Sequence, residues 1–149
     1  SMRPRRLTQT QLGHPMGNCL EAAVAMLVGA EVDEVPDPRQ RERPGLRVKE
    51  GGRAMRLRIP AMRAWLQRRG LSTVSGRGSR PPNRVLSMAR RARVPLFWIA
   101  SGPAIRGWNH AVVYTTNPDT GRSRLWHDPH PSQAGLLRVD RWTVLLPRM

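Results

Sequence analysis

The sequence predicts a single α+β domain in which helices come first and an antiparallel strand meander follows. Three observations predict this class. The chain has 149 residues, which is the size of one domain with its own core. Up to about residue 92, apolar residues recur at helical spacing between glycine and proline stops. From residue 94 onward, short apolar runs rich in β-branched and aromatic residues alternate with turn signals.

The first helix is predicted after a basic tail at residues 1–7. The alternating pattern of side chains in "RRLTQTQLG" indicates a short strand or an extended arm. In the following "NCLEAAVAMLVG", Asn18 is the predicted N-cap with Glu21 as its capping-box partner, and Gly29 ends the helix. One apolar stripe at helical period runs along it, formed by Leu20, Ala23, Val24 and Leu27. Alanines on the other faces predict a central helix buried on several sides.

The next segment is predicted to be poor in regular structure. "EVDEVPD" indicates one brief helical turn closed by Pro36. Residues 37–58 are rich in arginine, glycine and proline, which predicts a flexible basic loop. A second helix is expected in "PAMRAWLQRRG", with Pro60 in its first turn and Gly70 as its stop.

The remaining elements are one helix and several strands. A polar, glycine-rich link is expected at 72–80, and "PPNRVLSMARRA" predicts a third helix. "VPLFWIA" is continuously apolar, as in a buried strand, and loops are expected at "SGPAIRG" and "PHPSQAG". "NHAVVYTT" and "SRLWHD" predict two strands joined by the turn "NPDTG", and "LLRVDRWTVLLP" one or two more.

The formal charge of +16 comes almost entirely from arginine, since Lys49 is the only lysine among 26 basic residues. One interpretation is a partner such as nucleic acid or an acidic protein, because guanidinium groups match phosphate and carboxylate. The other is a solvated surface that reflects arginine codons in a GC-rich genome. The arginines are spread along the chain, with only Trp108 and Trp126 nearby as stacking platforms. Charge alone therefore does not decide between the two.

The sequence gives no sign of export or of membrane insertion. No apolar run approaches the ~18 residues of a membrane span, and no apolar segment follows the basic start as in a signal peptide. The single cysteine excludes an internal disulfide, which fits a reducing compartment. We expect a cytoplasmic protein without a membrane partner, and no motif predicts a cofactor.

The single cysteine, Cys19, begins the predicted central helix. Free N–H groups and the positive end of the helix dipole favour a thiolate there. The alternative is a packing role, because unpaired cysteines are often buried.

Two further residues give Cys19 a chemical context. His110 opens the strand "NHAVVY", where it can reach a thiol on a neighbouring helix and act as its general base. Asp128 ends the next strand, so a hairpin would place it beside the imidazole. The alternatives are a surface histidine and an ordinary Asp-Pro turn.

These blocks, "Q…GNCLEAAVAMLVG", "NHAVVY" and "HDPHP", resemble the papain-like cysteine peptidase fold in its compact bacterial form. The most similar group is the peptidase domains that remove double-glycine leaders from bacteriocin precursors, with their stand-alone bacterial and phage relatives. The resemblance runs from Thr8 to about Gly135. It implies that Cys19 is the nucleophile, His110 the base, and Asp128, followed by Pro129, the residue that orients His110.

The family also places a glutamine upstream of the cysteine in the oxyanion hole. Gln9 and Gln11 both match, and the extended "TQT" segment favours Gln9. The backbone N–H of Cys19 would be the second donor. The spacing from glutamine to cysteine is longer than in the larger peptidases of this fold, and no transporter segment is fused, so leader processing during export is not implied.

The resemblance implies a cysteine hydrolase that acts on an amide or acyl bond of a protein or peptide. Acyl transfer or deamidation by an effector or toxin, delivered without a classical signal peptide, uses the same thiolate chemistry. A third hypothesis is a basic module that binds nucleic acid or an acidic partner and keeps a vestigial triad. Residues 37–58 and the 101–109 loop with Trp108 are the expected cleft walls.

A zinc site is the rival chemistry, with His14, Cys19, His127 and His130 as its possible ligands. Prolines break up the 127–130 segment, and adjacent strand residues point to opposite faces. The set also lacks the paired spacing of a structural zinc site. We therefore predict no metal site, and we expect His127 to face away from Asp128.

Overall fold

The computed structural model describes residues 3–13, 17–41 and 52–148. In this part of the chain three α-helices, five strands and two 3-10 turns are present. The helices are α1 (Cys19–Val28), α2 (Arg53–Arg68) and α3 (Asn83–Ala92), and the 3-10 turns cover Val32–Glu34 and Pro38–Arg41. The strands are β1 (Leu71–Arg77), β2 (Leu96–Pro103), β3 (Asn109–Thr116), β4 (Ser123–His127) and β5 (Arg141–Pro147). Within these ranges, no helix has the length and apolar character needed to cross a membrane.

The five strands form one sheet in the order β1-β5-β2-β3-β4. Every neighbouring pair is antiparallel. The α+β class is therefore confirmed, with one change: β1 lies between α2 and α3 in the chain, so the helices do not all precede the sheet. β3 pairs with β2 along its whole length and with β4 along its second half, and this places it inside the sheet.

Both faces of the sheet are covered, and alternate residues of each strand serve different faces. On one face α1 and α2 pack against Ile99, Ala111, Val113 and Leu145. On the other face Val85 of α3 packs against Trp98, Ala100, Val112, Trp142 and Val144. The continuous apolar run in β2 follows from this, since a strand buried on both faces has no polar side.

Helix α1 is the central helix that the sequence predicts. Residues 21–27 are all buried, and Gly29 ends the helix in the left-handed conformation with φ of 75°. The predicted capping box is wrong, because Asn18 makes no side-chain capping bond. The Asn18 Oδ1 atom instead accepts hydrogen bonds from the backbone N–H groups of Thr10 and Gln11, at 3.1 and 2.9 Å. Asn18 thus anchors the preceding segment to the start of α1.

The predicted loop at 37–58 is wrong at both ends, and its middle, residues 42–51, lies outside the described residues. Pro38–Arg41 forms a 3-10 turn, and α2 begins at Arg53. Pro60 is therefore an interior residue of α2 rather than a first-turn residue. In residues 53–59 arginines are interspersed with apolar residues at no clear helical period, which is why sequence patterns did not reveal this part of α2.

The predicted link at 72–80 is also partly wrong, because Leu71–Arg77 is the edge strand β1. This strand contains Gly76, which is typical of a link but is required here. A Cβ atom at position 76 would lie 2.6 Å from the Trp142 ring on β5. The C-terminal segment gives one strand, β5, and β2 extends through Pro103 into the predicted "SGPAIRG" loop.

The interior proline of α2 gives a test of the helix assignment. We expect Pro60→Ala to raise the free energy of unfolding by about 1–3 kcal/mol, because proline cannot donate the i to i−4 hydrogen bond of a helix interior. Position 60 is exposed, so the substitution removes little packing. Urea denaturation measures the effect, with Arg63→Ala on the same helix as a control expected to stay within about 0.5 kcal/mol of the parent. A lower stability for Pro60→Ala would contradict the assignment.

Candidate active site

Cys19, His110 and Asp128 come together at one end of the sheet. Cys19 is the first residue of α1, and the residue is partly exposed. His110, the second residue of β3, lines the same cleft as Cys19 and lowers the pKa of its thiol. The His110 Nε2 atom lies 2.6 Å from Asp128 Oδ1, which leaves Nδ1 as the ring nitrogen for the thiol. The imidazole is thus held between a sulfur and a carboxylate.

Asp128 follows β4 directly, and the loop after it fixes its carboxylate. It is fully buried. Oδ1 accepts the backbone N–H of His130 at 2.8 Å, and Oδ2 accepts that of Gly135 at 2.7 Å. Burial raises the pKa of Asp128, but the hydrogen bonds from His110 and from these two amides lower it more, and the net shift is downward. The carboxylate is therefore ionised where it meets the imidazole.

The thiol and the imidazole have opposite pKa shifts. Burial raises the pKa of Cys19, yet the hydrogen bond and charge of His110, a backbone hydrogen bond at Ala111 and the charge of Arg58 lower it further. Burial lowers the pKa of His110, but its bonds to Asp128 and Cys19 raise it to about 9. Between the lowered pKa of the thiol and about 9, the pair exists as thiolate and imidazolium.

The N-terminal arm brings one of the two candidate glutamines to this site. Two backbone hydrogen bonds hold this arm, residues 5–13, in place. Arg5 N–H donates to Met26 O at 3.0 Å, and Gln9 N–H donates to Pro129 O at 2.9 Å. Gln9 is 7% exposed and lines the cleft with Cys19 and His110. Gln11 lines a different cavity, beside Asn18.

The side chain of Gln9 still has bonding capacity within the cleft. Its Nε2 donates one hydrogen to the backbone carbonyl of Gln11 at 2.7 Å, and a second hydrogen remains. Its Oε1 is buried and has no hydrogen-bond partner among the described residues. Buried polar atoms are nearly always paired, so this oxygen is an exception among the described side chains.

Arg58 is a site residue that sequence reasoning missed. It lies on α2 and lines the cleft with Cys19. Its Nε and Nη2 atoms donate to the two carboxylate oxygens of Glu21, each at 2.6 Å. Glu21 is 37 positions away in the chain and only 1% exposed. No local pattern marks such a pair, and assigning residue 58 to a loop concealed it.

A second arginine completes this ionic cluster behind Cys19. Arg39, itself 1% exposed, places Nη2 at 3.4 Å from Glu21 Oε1 and at 2.7 Å from Asp37 Oδ2. Its Nη1 donates to the carbonyl of Gly17 at 3.2 Å. Two arginines thus balance the two carboxylates, so Arg58 stays beside the thiol as a fixed cation.

The cleft beside Cys19 has a volume of about 450 Å³ and is open to solvent. Residues from the arm, α2 and β3 line it together with the loop before β3: Gln9, Gly13, Gly17, Cys19, Met55, Arg58, Gly107, Trp108, Asn109 and His110. Both predicted walls contribute, with Met55 and Arg58 from one and Trp108 from the other. A cleft of this volume can hold the side chains of several residues or a small acyl compound.

The described candidates for zinc, Cys19, His127 and His130, do not form a metal-binding group. His127 Nε2 bonds to the carbonyl of Leu7 at 3.0 Å, and His130 Nδ1 bonds to Ser132 at 2.8 Å. The third histidine, His14, lies outside the described residues. In the described part of the chain, no group of three or more histidine, cysteine or acidic side chains is placed to hold a metal ion.

The comparisons with known proteins give no match: no family model, no curated protein and no solved structure matches this chain. The chemistry of the site is therefore argued from its own residues. A thiolate at a helix start, an imidazolium beside it and an ionised carboxylate behind the ring are the components of nucleophilic acyl substitution.

The pH dependence of alkylation tests the electrostatics of this site. We expect the rate at which iodoacetamide labels Cys19 to rise with a midpoint below the ~8.5 of an ordinary thiol. A second change in the labelling rate is expected near pH 9, where His110 loses its proton. Arg58→Gln should move the first midpoint upward, because it removes a cation that favours the thiolate.

Two variants serve as controls for that experiment. Arg58→Lys keeps the charge and should keep the midpoint near that of the parent. Arg63→Gln removes an exposed charge from the same helix and should leave the midpoint unchanged. An Arg58→Gln midpoint equal to that of the parent would contradict a role for Arg58 at the thiol.

Proposed function

We propose that this chain is a cysteine-dependent hydrolase of papain-like type that cleaves an amide or acyl bond. The observation that carries the proposal is the position of His110, which shares the open cleft with Cys19 and lies 2.6 Å from the buried carboxylate of Asp128. A packing cysteine needs neither partner. The open cleft beside the thiol further supports a substrate the size of a peptide segment.

In the acylation step, the Cys19 thiolate attacks the carbonyl carbon and forms a C–S bond. The His110 imidazolium then gives its proton to the leaving nitrogen as the C–N bond breaks. The products are a thioester on Cys19, a free amine and a neutral imidazole. Asp128 stays ionised throughout, orienting the ring through Nε2 and stabilising its charged form.

In the deacylation step, water replaces the departed amine. The neutral His110 accepts a proton from water as the oxygen attacks the thioester carbon. The C–S bond breaks, the acid leaves, and the thiolate and imidazolium are restored. If an amine attacked in place of water, the same steps would give acyl transfer, and a glutamine amide as substrate would give deamidation.

The charge that develops on the carbonyl oxygen needs hydrogen-bond donors. The backbone N–H of Cys19 is one, because the first N–H groups of a helix have no intrahelical acceptor. The second hydrogen of Gln9 Nε2 is the other, since this amide lines the cleft and its orientation is fixed by Gln11 O. Donors held in place in this way stabilise the transition state without reorganisation.

The proposal is tested with denatured protein substrates and with peptides that carry an electrophilic group. We expect the parent chain to form a stoichiometric thioether with such a peptide, detected by intact mass. Cys19→Ala should form none, and His110→Gln should react at least ~100-fold more slowly because the general acid–base is lost. Mass analysis of a turned-over substrate then separates hydrolysis, transfer and deamidation.

A cysteine that only packs would behave differently. It would label no faster than a small-molecule thiol, and His110→Gln would leave the rate unchanged. Far-ultraviolet circular dichroism of each variant checks that the fold is retained. Either of these labelling results in a folded protein would contradict the proposal.

The two glutamines give a matched test of the oxyanion site. We expect Gln9→Ala to lower kcat by about 10²–10³, the usual effect of removing one oxyanion donor. Gln11→Ala should change kcat less than about threefold, because its contribution is a backbone carbonyl that alanine keeps. Equal effects of the two substitutions would contradict the assignment of Gln9. Steady-state kinetics on one cleaved peptide measures both.

A further inference from the structure

A second cavity lies at the other end of the sheet from Cys19. Its volume is about 1020 Å³, more than twice that of the cleft beside the thiol. The end of α3, the segment after it and the β3–β4 hairpin form its walls: Arg90, Arg93, Val94, Pro95, Thr115, Asn117, Pro118, Asp119, Thr120, Arg122, Ser123 and Arg124. β3 carries His110 near its start and Thr115 near its end, so roughly 17 Å of strand separates the two sites.

The cavity is strongly cationic. Four arginines line it, and Asp119 is the only acidic residue among the lining residues. All four arginines are exposed. None of them takes part in the ion pairs formed among the described residues. Their charges are therefore available to an anion from outside.

One of the four arginines has a structural role that holds the cavity open. Arg90 donates from Nε and Nη2 to the carbonyl of Pro118, at 3.1 and 2.8 Å. These two hydrogen bonds connect the last turn of α3 to the tip of the β3–β4 hairpin. The hairpin turn is fixed as well, because Asn117 Oδ1 accepts the backbone N–H of Asp119 at 2.9 Å. The walls are thus set before any ligand binds.

Arg93 has a backbone conformation that is typical of glycine. It follows α3 with φ of 55° and ψ of 41°, the left-handed conformation. At the same position after α1, the chain has Gly29. A side chain with a Cβ atom is disfavoured there, and such a local cost points to a role for the side chain. Arg93 lines the cavity together with Arg122 and Arg124 of the hairpin.

We propose that this cavity binds the phosphate backbone of a nucleic acid through Arg93, Arg122 and Arg124. Guanidinium groups bond phosphate oxygens in pairs. A nucleic-acid strand carries a phosphate charge at every nucleotide whatever its sequence, whereas an extended peptide presents one on a given face only where acidic residues recur at alternate positions. Several arginines within one cavity therefore match the phosphate backbone. None of the described residues that line the cavity is aromatic, so we expect binding without base stacking and independent of sequence.

The experiment measures binding of a fluorescein-labelled, mixed-sequence single-stranded RNA by anisotropy at several salt concentrations. The site variant combines Arg93→Gly, Arg122→Gln and Arg124→Gln. The matched control combines Arg63→Gln, Arg77→Gln and Arg91→Gln, which are exposed arginines outside the cavity. The two variants carry the same net charge. We expect the site variant to bind RNA roughly tenfold or more weakly than the control. The slope of log K against log salt concentration should be smaller in magnitude by about two to three.

The single substitution Arg93→Gly separates binding from folding. It should raise the urea midpoint, because glycine suits the left-handed conformation, and still weaken RNA binding. Cys19→Ala should bind RNA like the parent, since this inference does not rest on the proposed hydrolase.

Four results would overturn the proposal. One is the absence of RNA binding by the parent chain. Another is an equal loss of RNA affinity in the site variant and the matched control, which would indicate that binding depends on overall charge rather than on this cavity. The third is competition by polyglutamate as strong as that by RNA, which would indicate an acidic protein ligand. Competition by inorganic tripolyphosphate alone, with weak RNA binding, would assign the cavity to small phosphates and also overturn the nucleic-acid ligand.

Discussion

The buried carboxylate of Glu21 is the constraint on which the arrangement around the thiol depends. It lies in α1 two residues after Cys19 and is only 1% exposed, so it must be paired. Arg58 of α2 and Arg39 of the second 3-10 turn supply the pairing. Removing one partner of such a cluster typically costs about 3–5 kcal/mol, because a charge is left buried. The contact that holds these segments on α1 also places a cation beside the Cys19 thiol, so the stability of the fold and the pKa of the thiol depend on one set of bonds.

The sheet supplies the other half of the site through register. β3 pairs with β4, so the end of β4 delivers Asp128 to the imidazole that the start of β3 carries. The thiol comes from α1, and the arm that carries Gln9 binds near the end of β4 through Pro129 O. Four separate segments thus contribute one side chain each. The site exists only when α1 is packed against the sheet, and the buried residues of the central helix keep it there.

Much of this could be predicted from the sequence where the signal is local. The strand β3 begins and ends at the residues of "NHAVVYTT", and α1 begins at Cys19, because apolar periodicity and turn residues mark these boundaries. The hairpin prediction placed Asp128 beside His110 for the same reason. Charged pairs between distant segments leave no such mark. Arg58 and Glu21 are an example, and Asn18 forms its bonds backward to the arm instead of into the helix.

The occurrence of a single cysteine in the chain has a redox consequence. A thiolate stabilised by His110 and Arg58 is also the form of cysteine that peroxides oxidise, first to a sulfenic acid. Sulfenic acids are commonly trapped by a neighbouring thiol as a disulfide, and this chain has no second cysteine to provide one. Recovery of Cys19 from oxidation therefore depends on thiols from outside the chain, such as the low-molecular-weight thiols of a reducing compartment.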